Sequence, residues 1–298
     1  MQFTYPLDKS DLQLLEPYSY ICESSGKGFR NTLIKSFDFW LKVGDERVKD
    51  ISQVVQGLHV SSLLIDDIED NSKLRRGKPV AHSIYGIPQT INSANFVYFL
   101  IFNDCNRLGS PEATSIFIEE VIRLHRGQGY DILWRDTNKS PSEQEYMKMV
   151  NEKTGGLFRL GLRLLQCFSE NKTNYIELVE DLGMYYQIRD DLINLDSEDY
   201  HQNKSFCEDI SEGKFSFPII HAINADTNDN RLLRILKQKT EDRSVKQHAL
   251  DYIKSMGSLE YTKNVLKGLR EKILKQIEGL GGNPILVKLM EQLEGSSI

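Results

Sequence analysis

The chain of 298 residues carries 37 Lys and Arg against 43 Asp and Glu, a formal net charge of −6, so the overall balance gives no basic footprint for nucleic acid. Its longest apolar run, FVYFLIF at 96–102, falls far short of the roughly 18 residues a transmembrane helix needs. At about 150 residues per domain, the length allows one large domain or two ordinary ones.

In chain order, the first segment, MQFTYPLDKSDLQLLEPY, places Asp8, Asp11 and Glu16 where a secretory signal would need an unbroken apolar core and a transit peptide would be poor in acids. Val48, Ile51, Val54, Val55 and Leu58 recur at helical spacing and predict an amphipathic helix. Gly, Pro, Asn, Asp and Ser content predicts loops at 71–90, 134–144, 196–214, 224–231 and 280–284. Val245, Leu250, Ile253 and Met256 approximate a second helical stripe. The eight prolines leave 18–78, 142–217 and 219–283 free of them, which suits long helices because an interior proline removes a hydrogen bond and clashes with the preceding turn. No repeat, low-complexity tract or alternating strand–helix pattern is present, and a single mainly helical domain over 1–298 is expected. Cys22, Cys105, Cys167 and Cys207 form no CxxC pair and no zinc-ligand spacing, so they read as thiols of a reducing compartment, and a cytoplasmic protein is expected.

Two stretches carry the chemistry. In SLLIDDIED, Asp66 and Asp70 share a helical face one turn apart, and Asp67 projects about 100° to one side. YYQIRDDLIN repeats the spacing with Asp190, Asp191 and Asn194. Acids following a mostly apolar turn twice over are better explained by a shared hard cation than by a solvated face, and all-oxygen ligands point to Mg2+, Mn2+ or Ca2+. The alternating ligands and central glycine of an EF-hand loop are absent. Bases accompany both clusters: Lys27 and Arg30 in SGKGFR, Arg75 and Arg76 after the first cluster, Lys153 in EKTGG, and Lys204 and Lys214 after the second. Together they resemble an anion site of the kind that takes a polyanionic phosphate ester, its charge held by bases directly and by carboxylates through metal. With Mg2+ on a diphosphate, a departing diphosphate is stabilised, and an allylic cation left behind needs a dry apolar pocket.

The segments GKGFR, LHVSSLLIDDIEDNSKLRRGKPVAHSIYGIPQTINSAN, LHRGQGYDILWRD, EKTGGLF, YYQIRDDLINL and NKSFCEDISEGKFSFPIIHAI, in this order, resemble the trans-prenyltransferases, and within them the short-form geranylgeranyl diphosphate synthases of animals and fungi. The resemblance covers nearly the whole chain. It implies an all-α isoprenoid-synthase fold, a single helical bundle around a deep central cavity with the two acidic motifs at its mouth. It further implies that Asp66 and Asp70 bind Mg2+ with the allylic diphosphate, that Asp67 supports them, and that Asp190 holds a further ion, three ions in all. Arg75, Lys153, Lys204 and Lys214 would hold the leaving diphosphate, and Thr154 and Gln187 would line the reacting centre. Isopentenyl diphosphate would lie on Lys27, Arg30, His59 and Arg76, although His59 alone would read as an ordinary packed residue. Product length would depend on small Ser61 and Ser62 before Asp66 and on a floor at Tyr98, Phe99 and His125 that suits twenty carbons.

The activity so implied condenses isopentenyl diphosphate with an allylic diphosphate, mainly farnesyl, to geranylgeranyl diphosphate, in a homodimer or larger homo-oligomer. Farnesyl diphosphate synthesis and a non-catalytic prenyl-diphosphate-binding subunit are the alternatives. A terpene cyclase would have no need of the second anion pocket. Asn194 stands where many prenyltransferases have a third aspartate and is expected to add little to metal binding. Arg159 and Arg163 are expected to face solvent at a subunit edge, and a position facing the cavity would count against the twenty-carbon product.

Overall fold

The helix predicted around Val48 to Leu58 is α4, which runs from Asp45 to Glu69 in a computed structural model of the chain. The structure describes residues 3–24, 28–196 and 206–295. Ahead of α4 lie α1 (Lys9–Leu14), α2 (Glu16–Cys22) and α3 (Phe29–Leu41). After it come β1 (Leu74–Arg75), β2 (Lys78–Pro79), α5 (Ala81–Tyr85), α6 (Ile87–Asn106), α7 (Pro111–Thr137), α8 (Glu143–Lys153), α9 (Gly155–Cys167) and α10 (Ile176–Asp196). The remainder is α11 (Glu208–Glu212), α12 (Phe217–Ala225), α13 (Arg231–Gln238), α14 (Arg243–Ser255), α15 (Ser258–Gly279) and α16 (Pro284–Gly295). Among the described residues no helix is long and apolar enough to cross a membrane.

The chain divides into two compact units. The first comprises Met1–Ile122, Gly156–Ile176 and Asn283–Leu289. Its centre is α4, whose predicted stripe of Val48, Ile51, Val54, Val55 and Leu58 is buried. The principal partner of α4 is α6, which contributes buried Ala94, Val97, Leu100 and Ile101. Burying such side chains stabilises by about 1.5–3 kcal/mol each, which is how an amphipathic stripe becomes a fixed helix position. α3 packs on α4 as well, and Gly161 in α9 lies so close to α3 that a methyl group there would sit 3.0 Å from Ile34.

The stretch 71–90, read as a loop, contains a hairpin and the short helix α5. Leu74 pairs with Pro79 and Arg75 with Lys78, across a two-residue turn of Arg76 (φ 56°) and Gly77 (φ 76°). Both turn residues are left-handed, the geometry that matches the twist of a two-residue hairpin. Strands of two residues leave no alternation to detect.

Arg159 does not face solvent. It is 2% exposed and donates to Glu120, itself fully buried, at 3.0–3.4 Å. Arg163 bonds the same Glu120 at 2.6 Å and Glu119 at 2.8 Å. The two arginines therefore tie α9 to α7 through one shared carboxylate.

The second unit comprises Arg123–Gly155, Glu177–Gly282 and Met290–Ile298. Its α8 starts at a capping box, with the Ser142 hydroxyl accepting from the Glu145 N–H and the Glu145 carboxylate accepting from the Ser142 N–H. The apolar α12 packs on α15, α14 and α8, burying Phe217, Ile219, Ile220 and Ala222. Phe217 contacts the Tyr146 ring at 5.5 Å between centroids and stacks on Tyr261 at 6.0 Å. The predicted stripe at 245–256 is α14, with Ala249, Leu250 and Ile253 buried.

Candidate functional site

In the first unit the acids occupy the last turn of α4, with Asp70 as its C-cap. A helix C-terminus already carries a partial negative charge, so three carboxylates there create a strong demand for cations. Burial sorts them: the Asp67 side chain is 2% exposed and that of Asp66 is 23% exposed. The hairpin delivers Arg75 to this point. Its Nε donates to Asp67 Oδ1 at 2.9 Å, its Nη2 contacts the same oxygen, and Nη2 reaches Asp66 Oδ2 at 3.4 Å.

The bases converge on His59. Arg30 Nη1 lies 2.9 Å from His59 Nε2, and because a guanidinium only donates, Nε2 is the acceptor and Nδ1 carries the ring proton. Burial, reinforced by the charges of Arg30, Arg76 and Arg75, holds this imidazole well below its ordinary pKa of 6.5. The Arg30 guanidinium also lies 5.8 Å from the Phe158 ring centre. Arg76 donates to the Ser24 carbonyl. Lys27 and Lys204 lie outside the described residues.

The chain-length positions separate. Ser62 is half-buried on the face of Asp66, its hydroxyl donating to the His59 carbonyl at 2.8 Å. Ser61 is fully buried and donates to the Leu58 carbonyl at 2.9 Å. Tyr98 is half-buried, and burial, with Glu69 and Asp66 nearby, raises its phenol pKa. Phe99 is 71% exposed, and His125 in the second unit is exposed.

In the second unit, Lys153 ends α8 and Thr154 is its C-cap. Lys153 Nζ donates to Asp131 Oδ2 at 2.6 Å. Gly127, one turn before Asp131 on α7, is where that helix meets the Lys153 backbone: a Cβ there would collide with the Lys153 nitrogen. Thr154 Oγ1 bonds Gln187 Oε1 at 2.6 Å, and Gln187 Nε2 donates to Asp191 Oδ1 at 2.8 Å. Asp191 Oδ2 accepts from the Tyr146 hydroxyl at 2.5 Å and from the Phe217 N–H at 2.8 Å. Burial raises the Asp191 pKa to about 6, against these three hydrogen bonds, which favour the carboxylate, and with a further increase from Asp190. Asp190 is half-buried on the next helical position. Asn194 accepts from the Asp209 N–H at 3.2 Å, securing the start of α11, and Lys214 donates to Glu212 at 2.9 Å.

Asp131, Gly127 and Tyr146 were not singled out as site residues from the sequence, and Asp191 was read only as part of the second acidic run. Gly127 offered the one available signal, a glycine inside a helical stretch one turn from an acid; the others needed the fold.

The residues thus assemble an acid-and-base corner on α4 and the hairpin, a second base cluster about His59, and a hydrogen-bonded row from Thr154 to Tyr146. A family model described as polyprenyl synthetase matches residues 11–253. The chain is 84% identical over 298 residues to a geranylgeranyl pyrophosphate synthase of Dictyostelium discoideum, covering 100% of this chain and 98% of that one. It is 48% identical over 280 residues to a geranylgeranyl pyrophosphate synthase of Mucor circinelloides f. lusitanicus, covering 94% and 92%. It is also 48% identical over 283 residues to a terpene synthase of Matsumurasca onukii, covering 95% and 93%.

Proposed function

The chain belongs to the polyprenyl synthetase family, and from that premise we propose that it joins isopentenyl diphosphate to an allylic diphosphate, mainly farnesyl diphosphate, releasing diphosphate and geranylgeranyl diphosphate. Its helical architecture is that of the isoprenoid synthases. The family match runs through residues of both units, which supports reading 1–298 as one synthase domain.

The observation that carries the reading is Arg75 seated against Asp66 and Asp67 at the negative end of α4. The donor chemistry fits Mg2+: the ligands are carboxylate oxygens, with Asp66 and Asp190 half-buried and Asp70 buried at the C-cap of α4. Mg2+ characteristically takes one or two carboxylates and completes its shell with phosphate oxygens and water. Asp66 and Asp70 would hold it in the first unit and Asp190 in the second, three ions in the loaded enzyme. When bound, the metal supplies charge neutralisation for a departing diphosphate.

The chain's own residues do the rest. Arg75, Lys153, Lys204 and Lys214 hold the allylic diphosphate as its carbon–oxygen bond breaks and the electron pair leaves with oxygen. Lys27, Arg30, His59 and Arg76 hold isopentenyl diphosphate, whose double bond supplies the electrons of the new carbon–carbon bond. Thr154 and Gln187 line the reacting centre, and the proton lost at the end passes to diphosphate. The second cluster of bases favours this two-substrate reaction over cyclisation of one diphosphate.

Ser62 and Tyr98 set product depth from α4 and α6, while Ser61 lies fully buried in the core. Phe99 and His125 complete the floor once covered by a second copy, in a homodimer or larger homo-oligomer. Ile87, Ile91 and Phe99 are large apolar side chains left exposed on α6, which supports that cover. The enzyme works in the cytoplasm. Incubation with isopentenyl diphosphate and each allylic starter, followed by chain-length analysis, should give a twenty-carbon product; a fifteen-carbon end product would favour farnesyl diphosphate synthesis, and no product would reject the enzyme.

A further inference from the structure

Asp191 sits beside Asp190 in the second acidic run, yet nothing in the chemistry above uses it. Its surroundings do more than bury it. An ionised carboxylate only accepts hydrogen bonds. Oδ2 is taken by the Tyr146 hydroxyl at 2.5 Å and by the Phe217 N–H at 2.8 Å, which leaves Oδ1 for Gln187 at 2.8 Å. The Gln187 group that faces Oδ1 must therefore be its NH2. Amide orientation follows from the partners, and here the partner permits one answer. Gln187 Oε1 is then turned to Thr154, 2.6 Å away, and because that oxygen carries no hydrogen the Thr154 hydroxyl must donate. The Thr154 proton is thereby committed, and what its oxygen offers to any other neighbour is a lone pair.

Polarity at this oxygen matters if a cation forms beside it. A lone pair stabilises positive charge, whereas the positive end of an O–H dipole opposes it, and the difference is amplified in a dry site. Resting on the prenyl-transfer reading, we propose that Asp191, held by Tyr146 and the Phe217 N–H, is a positioning residue that sets the Gln187–Thr154 pair so that an oxygen lone pair, not a hydroxyl hydrogen, faces the developing allylic cation.

An isosteric substitution reverses the row. In Asp191→Asn the single acceptor must serve the Phe217 N–H, which cannot reverse, so the new NH2 faces Gln187. Gln187 turns its oxygen towards it and its NH2 towards Thr154, and the Thr154 hydroxyl hydrogen is released towards the reacting centre. Adding Gln187→Glu restores the original sense, because a carboxylate at position 187 accepts both from the new amide at position 191 and from Thr154, at unchanged total charge.

The test measures kcat and KM for farnesyl diphosphate, together with thermal unfolding, at pH 8 in saturating Mg2+. D191N should lower kcat by about 100-fold, the order found when one preorganised polar group is lost. KM should change by less than about threefold, as expected for an interaction made in the transition state. The double variant D191N/Q187E should recover at least about tenfold of kcat over D191N, a gain that a purely structural role would not produce. Wild-type kcat in D191N, a loss confined to KM, or a double variant no faster than the single would overturn the assignment. If D191N fails to fold, the double variant decides alone: folded and active supports the role, unfolded or inactive contradicts it. Wild-type protein that forms no prenyl product would remove the functional reading and this role with it, whereas an active wild type beside an unaffected D191N removes the positioning role only.

Discussion

The Nε of Arg75 donates to Asp67 Oδ1 at 2.9 Å, and this contact divides the labour within the first acidic run. Asp67 is buried and engaged by the hairpin, while Asp66 on the adjacent position keeps part of its carboxylate in solvent. Asp66→Ala should therefore cut kcat by at least about 100-fold with little change in unfolding temperature. Asp67→Ala should instead cost about 1–3 kcal/mol of stability, because Arg75 loses a buried partner. Denaturant titration beside steady-state kinetics of both variants checks the split, and equal loss of stability in the two would contradict it.

Ser61 and Ser62 make a second contrast. Ser62 shares the face of Asp66, so Ser62→Phe should stop elongation early and shift the product from twenty carbons to fifteen. Ser61 is fully buried, and Ser61→Phe should overpack the core at a cost of about 1–3 kcal/mol without a clean change of product. Product chromatography on the folded variants distinguishes the two positions.

Glu120 is the shared carboxylate of two arginines, one of them 2% exposed. Glu120→Ala should destabilise by about 3–5 kcal/mol, since it removes a fully buried carboxylate that accepts from both Arg159 and Arg163. Glu119→Ala removes a partly exposed contact of Arg163 and should cost less than about 1 kcal/mol. Urea unfolding of each variant measures the difference.

His59 contributes a pH dependence whose sign follows from its lowered pKa. Above the ordinary value of 6.5 the ring is neutral in folded and unfolded chain alike. Below it the unfolded chain takes a proton that the folded chain refuses, so stability falls with acidification, by about 1.4 kcal/mol per pH unit until the folded ring titrates. His59→Gln should remove this slope between about pH 6.5 and 5 relative to wild type, as read from urea midpoints. A diphosphate bound to Arg30 and Arg76 should raise the His59 pKa, observable by NMR of the ring protons.

Legibility in the sequence followed the range of the interactions. The stripe from Val48 to Leu58 was readable because one helix repeats its own period, and the acids of α4 and α10 because their spacing is local. The hairpin at Arg76 and Gly77 was not, since two-residue strands carry no pattern. Arg159 read as a solvent charge because its partner, Glu120, lies 39 residues away on another helix. Asp191 and Asp190 look equivalent in sequence, and only Tyr146 and Phe217, brought in from two other helices, tell them apart.

If Asp66 and its neighbours grip a diphosphate through Mg2+, removing the metal must weaken that grip. Calorimetric binding of a farnesyl diphosphate analogue whose thiolo linkage resists ionisation tests it most directly, in wild type and Asp66→Ala, with Mg2+ and after chelation. Wild-type affinity should fall by at least about tenfold on chelation, and the metal effect should be much smaller in Asp66→Ala. Affinity indifferent to chelation, or a metal effect undiminished in Asp66→Ala, would contradict a grip through the metal.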